Sequence, residues 1–92
     1  MAHAKEYVKG LVSIVLPIRR HEDISGLIES IQNSTYKNYE IIAVDNGEER
    51  SKQRNTGIRR ARGEFLFVLD SDQYLSPGLL KECVSMCKFY NA

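Results

Sequence analysis

The sequence predicts an α/β fold with three layers, in which a small, mainly parallel sheet of about three strands lies between helices. The first observation behind this prediction is a set of three short apolar runs, rich in β-branched and aromatic residues, that hardly alternate with polar ones. Such runs are typical of strands buried on both faces of a parallel sheet. The second observation is the helical spacing of the apolar residues between these runs. Strands that alternate with helices indicate βαβ units, whose crossovers are right-handed.

Each apolar run ends at a residue that is unfavourable inside a strand. Pro17 ends the first run, Asp45 ends the second and Asp70 ends the third. The strands predicted in this way are residues 11–16, 40–44 and 64–69.

Three helices are predicted, two between the strands and one after the last strand. The first, residues 22–34, has an apolar residue every three or four positions. The second, residues 51–62, contains Gly57, which costs a helix about 1 kcal/mol relative to alanine. The third begins with Ser76 as N-cap and Pro77 at the first helical position, and it continues towards the end of the chain. The apolar positions of the first helix are Ile24, Leu27, Ile28 and Ile31.

At 92 residues the chain is predicted to be a single domain, with residues 1–10 as an N-terminal tail that is in part a cloning remnant. The composition, with 42% hydrophobic residues and a net charge of +1, is that of a folded domain rather than a disordered chain. No apolar run approaches the ~20 residues of a membrane span, and no secretory signal opens the chain. Cys83 and Cys87 are expected to be core residues in a reducing cytoplasm rather than zinc ligands.

The carboxyl ends of the three strands are expected to meet in one crevice, because ligands of open parallel sheets bind at that edge. Asp70 and Asp72 flank a single residue there, so both carboxylates can face one hard cation. Oxygen atoms of a diphosphate and water would complete the shell of Mg²⁺ or Mn²⁺. The alternative interpretation of this pair is a helix cap or a turn.

Asp45 could accept a hydrogen bond from a ring N–H or a hydroxyl, and its alternative role is an Asx-turn closed through Gly47. Residues 50–62 hold six basic side chains and no acidic one, which suits a metal diphosphate nearby, although most of them fit a solvated helix face. Arg54 is the exception, because it opens the helix on the side of the strand ends. No aromatic residues interleave the basic ones and the net charge is small, so nucleic acid is not predicted as a partner.

Several motifs, in this order and spacing, resemble the opening half of family-2 glycosyltransferases with the GT-A fold. The matching stretches are VSIVLP at residues 12–17, NSTYKNYEIIAVDNG at 33–47, RNTGI at 54–58 and ARGEFLFVLDSD at 61–72. The resemblance covers about three quarters of the chain. It implies a shortened, Rossmann-like nucleotide-sugar-binding half.

The resemblance also implies a role for each matching residue. Asp45 would contact the nucleobase, typically uracil, and Arg54 would lie near the phosphates or the base. Asp70 would approach the ribose, and Asp72 would hold the divalent metal on the diphosphate, with Asp70 as a second metal ligand. The remaining residues predicted for this nucleotide-sugar site are Pro17, Ile18, Arg19, Asn46 and Ser71.

The chain differs from the family pattern in three places. After the proline of the first strand the family usually has a Thr, an aromatic or small polar residue and an Asn, where this chain has Ile18, Arg19 and Arg20. Family members carry an additional helix and strand between the motifs of Asp45 and Arg54, where this chain has only a short connection. The carboxylate that acts as general base in inverting transfer follows Asp72 at a distance that this sequence does not reach. We therefore predict a nucleotide-sugar-binding protein with no catalytic residue in this chain.

Two functions of other classes remain open at this point. One is a non-catalytic α/β oligomerisation module, because unpaired strand edges and an apolar last helix favour a homodimer. The other is a receiver-type phosphoacceptor domain, because Asp70 ends a strand and Pro77 follows it.

Overall fold

The computed structural model describes residues 6–19, 21–45, 47 and 49–90, with side chains as far as residue 86. Strands and helices alternate along the whole of this part of the chain, which confirms the predicted α/β class. The elements are β1 (Val8–Pro17), α1 (Ser25–Gln32), β2 (Tyr39–Val44), α2 (Arg50–Arg60), β3 (Gly63–Val68) and α3 (Leu79–Tyr90).

The three strands form one parallel sheet in the order β2-β1-β3. Val12 of the central strand lies level with Tyr39 of β2 on one side and with Phe65 of β3 on the other. The connection from β1 to β2 and the connection from β2 to β3 therefore run in opposite directions across the sheet. Since parallel crossovers are right-handed, α1 and α2 belong on opposite faces.

The packing agrees with this layered arrangement. Alternate residues of β1, such as Ile14 and Leu16, are fully buried in a core that includes Leu27 of α1 and Leu80 of α3. On the opposite face of the sheet, Val15 points towards α2. The structure thus has the predicted three layers, with α1 and α3 on one face and α2 on the other.

Gly57 is required by the close approach of α2 to β1. A Cβ atom at this position would lie 2.2 Å from Cγ1 of Val15, which is fully buried. Gly57 has a low helix propensity, but its missing side chain allows α2 to pack against the central strand.

The prediction that all three strands are buried on both faces is correct for β1 and wrong for the other two. Residues 11–17 of β1 are all buried, whereas β2 and β3 each contain exposed apolar side chains. Leu66 and Val68 of β3 are 47% and 37% exposed on the face that carries α2. The physical reason is that α2 packs mainly over β1 and β2, which leaves that face of β3 uncovered.

Several predicted boundaries are also corrected. β1 begins at Val8, so the last residues of the predicted tail belong to the strand. Its pairing with β3 shifts register between Val8 and Val12, a stretch in which Gly10 has a φ of +79°. The first helix is shorter than residues 22–34 at both ends. The third begins at Leu79, whose N–H donates to the carbonyl of Ser76 (3.1 Å), so Pro77 lies in a turn before the helix.

Within the described residues, no helix combines the length and the apolar character that a membrane crossing needs.

Candidate functional site

The candidate site lies at the carboxyl edge of the sheet, between β1 and β3. The chain leaves β1 towards α1 and the adjacent β2 towards α2, which lie on opposite faces of the sheet, and open parallel sheets form a ligand crevice at such an edge. Backbone hydrogen bonds between the strands continue up to this edge, where the N–H of Leu69 donates to the carbonyl of Val15 (2.9 Å). On the other side of β1, the N–H of Ile18 donates to the carbonyl of Val44 (3.0 Å).

Asp70 and Arg54 are brought together at this edge. Nη2 of Arg54 lies 3.2 Å from Oδ1 and 3.4 Å from Oδ2 of Asp70. The side chain of Arg54 is 41% exposed and that of Asp70 is 27% exposed, so solvent screens the pair. A turn follows Asp70, whose N–H donates to Oε1 of Gln73 (2.9 Å) while its carbonyl accepts from the N–H of Gln73 (3.0 Å).

Ser71, the residue between the two aspartates, is held by Glu22, which the sequence analysis did not identify as a site residue. Oγ of Ser71 donates to Oε2 of Glu22 (2.7 Å), and the N–H of Arg19 donates to Oε1 of the same carboxylate (3.0 Å). These two hydrogen bonds, with the positive charges of Arg19 and Arg50, hold the pKa of Glu22 below its usual value. The carboxylate therefore links the β1–α1 connection to the loop after β3.

Gln53 is a second residue that the sequence analysis missed. Its side chain is 4% exposed, and Nε2 donates to the carbonyl of Ile18 (2.8 Å). This bond ties the first turn of α2 to the end of β1 and so places Arg54, the next residue, over the strand ends. In the sequence Gln53 stands among basic residues, and nothing in its neighbours distinguishes it from a glutamine that is exposed to solvent.

The remaining predicted site residues differ in their accessibility. Pro17 and Ile18 are buried beneath the edge, whereas Arg19, Asp45 and Asp72 are exposed. Asn46 lies outside the described residues. The edge therefore has an apolar floor and presents exposed charges on the loops above it.

The fit of a divalent metal to this edge can be judged from its donors. Among the described residues there is no group of three or more His, Cys, Asp or Glu side chains that could hold a metal ion. Asp70 and Asp72 offer only carboxylate oxygens, which suits Mg²⁺ or Mn²⁺ rather than a softer metal. The residues thus fit a cation that arrives with most of its oxygen ligands supplied by a diphosphate and water.

A second polar cluster lies at the opposite, amino end of the strands. Oγ of Ser13, fully buried, donates to Oε2 of Glu40 (2.5 Å) and accepts from the N–H of Gly63 (2.7 Å). Arg62 donates to the same carboxylate from its backbone N–H (2.8 Å) and from Nε and Nη2 (3.3 Å each). Burial raises the pKa of Glu40, but the hydrogen bonds from Ser13 and Arg62 outweigh it and lower the pKa.

Comparison with known proteins gives a consistent family relationship. The family model described as glycosyl transferase family 2 matches residues 48–92. EpsH of Bacillus subtilis (strain 168), named as an inferred glycosyltransferase, is 32% identical over 72% of this chain and 27% of its own length. An uncharacterized glycosyltransferase of Haemophilus influenzae is 28% identical over 73% of this chain and 31% of its own. No solved structure matches at a comparable level.

These comparisons also bear on the length of the chain, which spans less than a third of either relative. The alignment with EpsH is 93 positions long but includes only 72% of this 92-residue chain. The relative therefore carries residues inside the aligned region that have no counterpart here. This agrees with the helix and strand expected between Asp45 and Arg54 in the family pattern.

Proposed function

We propose that this chain, which belongs to glycosyl transferase family 2, binds a nucleotide-diphosphate sugar at the carboxyl edge of its sheet. The proposed donor is a UDP-sugar, held together with Mg²⁺ or Mn²⁺. The observation that carries the proposal is the meeting of Arg54, in the first turns of α2, with Asp70, just after β3, at the carboxyl edge of the sheet.

The charges at this edge suit the two parts of such a ligand. Asp72 is exposed on the loop after β3 and would hold the metal on the diphosphate. Asp70 would contact the ribose or share the metal, and Arg54 would turn from Asp70 towards the phosphates. Asp45 is exposed at the end of β2, the strand beside β1, where it can accept a hydrogen bond from the base. Buried Ile18 supplies part of the apolar floor.

Sugar transfer would need more than this arrangement provides. An inverting transferase uses a base to take the proton of the acceptor hydroxyl. Asp70 and Asp72 are assigned here to the ribose and the metal, and no other residue of the chain is assigned as a base. We therefore expect the isolated chain to bind the donor without transferring its sugar.

Titration calorimetry with UDP and Mn²⁺ tests the proposal. We expect saturable binding that requires the metal and that Asp72→Asn abolishes. The matched control is Glu29→Gln, which removes the same charge from an exposed position on α1. Absence of binding to the wild type, or equal binding by the wild type and Asp72→Asn, would contradict the site.

A second candidate function, self-association, is favoured by the open edge of β3. In the part of the chain that the structure describes, β3 has a neighbouring strand on one side only. A groove of about 320 Å³ lies between β3 and α3, lined by Phe65, Phe67 and Cys83 among others. An unpaired edge with exposed Leu66 can accept a strand from a second copy, so we propose a homodimer.

The last helix is less suited to this dimer than the sequence suggested. Leu80 and Val84 are buried in the chain's own core, while Met86 is 58% exposed. The side chains of Cys87, Phe89 and Tyr90 lie outside the described residues. Light scattering tests the dimer, and a monomeric mass at tens of micromolar protein would contradict it.

The cytoplasm is the proposed location. Cys83 is a free thiol, as expected for a protein of a reducing compartment.

A further inference from the structure

We infer that Glu22 is a positioning residue that fixes the loop of Asp70 and Asp72 in the geometry needed for the metal and the nucleotide. The inference rests on the proposed function, since it assigns a role within that same site. It begins from the hydrogen bond between Oγ of Ser71 and Oε2 of Glu22 (2.7 Å), which joins residues 49 positions apart.

The position of Glu22 is itself strongly constrained. Its N–H donates to the carbonyl of Arg19 (3.1 Å), and its Oε1 accepts from the N–H of Arg19 (3.0 Å). Between them, His21 adopts a φ of +65°, a left-handed conformation that is unfavourable for a residue with a Cβ. A strained conformation of this kind persists only where surrounding contacts enforce it, and it is common at ligand sites. The turn therefore holds the carboxylate at a fixed place above the end of β1.

The loop that Glu22 holds has few other anchors. Leu69 is the last buried residue before it, and the next is Leu75. Between them the turn bonds of Asp70 and Gln73 are local, so they define the shape of the loop but not its orientation over the sheet. Asp70 also pairs with Arg54 of α2, but this pair is partly exposed and is the one proposed to open when the nucleotide binds. The Ser71–Glu22 bond links the loop to another segment, and so it sets the direction in which the neighbouring aspartates face.

A residue that orients a metal-binding side chain matters because a side chain already held in the binding geometry loses less conformational freedom when the metal binds. Loss of a group that orients a metal ligand typically weakens metal affinity by about 10-fold to 100-fold. We expect Glu22→Ala to weaken the binding of UDP with Mn²⁺ by at least about 10-fold. Ser71→Ala should have a similar effect, and the double variant should be no weaker than either single one, because both remove the same bond.

Two conservative variants separate positioning from a general loss of structure. Glu22→Gln can still accept from Arg19 and can donate its amide N–H to Ser71, so its affinity should be closer to wild type than that of Glu22→Ala. Ser71→Thr keeps the hydroxyl and should likewise recover binding. Glu29→Ala, which removes an exposed carboxylate of α1, should leave the affinity unchanged.

A second measurement, on the protein without ligand, keeps this inference distinct from the proposed function. Amide hydrogen exchange at Gln73, which bonds to Asp70, should be faster in Glu22→Ala and in Ser71→Ala than in Glu29→Ala. Urea unfolding of the same samples should give similar midpoints.

The outcomes divide clearly. If exchange at Gln73 is unchanged in Glu22→Ala, the loop is not anchored by Glu22 and the inference is overturned. If exchange is faster but affinity for UDP with Mn²⁺ is unchanged, the positioning role is overturned. If wild type binds no UDP with Mn²⁺, the proposed function fails, and the positioning role fails with it whatever the exchange rates show.

Discussion

The two ends of the sheet use their carboxylates in different ways. At the amino end, Glu40 is 18% exposed in its side chain and accepts hydrogen bonds from Ser13 and from both the backbone and the guanidinium of Arg62. At the carboxyl end, Asp72 is exposed, and Asp70 is paired with a partly exposed arginine. A carboxylate whose oxygens are occupied within the protein stabilises the fold, whereas one that faces solvent can bind a ligand. The difference predicts that substitutions at the amino end change stability and those at the carboxyl end change binding.

The largest effect is expected from Gly63→Ala at the amino end. A Cβ atom here would lie 2.5 Å from the carbonyl oxygen of Leu11 and 2.8 Å from the N atom of Ser13. Because these are backbone atoms of the central strand, they cannot move aside without breaking the pairing of β1 with β3. We expect a loss of about 3 kcal/mol or more in the free energy of unfolding, at the upper end of overpacking effects. Urea unfolding measures it.

Gly78→Ala, in the turn before α3, is the matched control. A Cβ atom at Gly78 would meet no atom within 4 Å, so its free energy of unfolding should stay within about 0.5 kcal/mol of wild type. Equal losses in the two variants would show that the loss in Gly63→Ala does not come from the contacts of the added Cβ atom with β1.

Glu40→Ala should have the next largest effect. It leaves the buried hydroxyl of Ser13 without its acceptor and removes the partner of Arg62, which should cost about 1–3 kcal/mol of unfolding free energy. Asp72→Ala removes an equal charge at the other end and should change stability by less than about 0.5 kcal/mol. Denaturant unfolding at neutral pH compares the two, and the reverse order would contradict the assignment of roles.

The pH dependence of stability provides a third test. The pKa of Glu40 is below its ordinary value of 4.5 in the folded chain, because the hydrogen bonds from Ser13 and Arg62 outweigh the effect of burial. Its contribution is therefore complete above the pKa of the unfolded chain and is lost as pH falls through the lower folded pKa. The stability difference between wild type and Glu40→Gln should be constant near neutral pH and should shrink below about pH 4.5.

Urea unfolding of both proteins at neutral and acidic pH gives this difference directly. Glu22 and Asp23, whose pKa values are also lowered, titrate in both proteins and cancel in the comparison. A difference that stays constant into the acid range would show that the charge of Glu40 is unimportant.

Only a small effect on stability is expected from Arg54→Ala. The pair with Asp70 is partly exposed, and such pairs contribute about 0.2–1 kcal/mol. Affinity for UDP with Mn²⁺ should nevertheless fall, because the arginine is proposed to contact the phosphates. If Arg54→Ala destabilised the fold as much as Glu40→Ala, the carboxyl end would be a structural cluster like the amino end.

The elements of the fold were predictable because their signals are local. The apolar runs of β1, β2 and β3 and the spacing of α1 follow from neighbouring residues. The position of Asp70 just after a strand follows from the same pattern, so the location of this candidate site residue in the fold was predictable too. What the pattern could not show is which faces are covered, since Leu66 and Val68 look like core residues in sequence but have no helix over them.

The residues that hold the site together were not predictable from local signals. Glu22 meets Ser71 across 49 positions, and Gln53 meets Ile18 across 35. Both are polar residues in segments where polar residues are common, so only the folded arrangement gives them a role. The start of α3 was misplaced for a related reason, because the Ser76–Pro77 signal of a helix start also fits a turn that precedes one.

The central position of β1 has a consequence during synthesis. This strand leaves the ribosome first, yet its outer partners arrive later: β2 after about thirty residues and β3 after about fifty, so contacts of high sequence separation must close last. Until Val68 has emerged, one side of a strand whose residues 11–17 are all buried in the folded chain has no partner strand. Before β3 has emerged, the nascent chain exposes a strand edge that favours aggregation. This is the interval in which a chaperone would act.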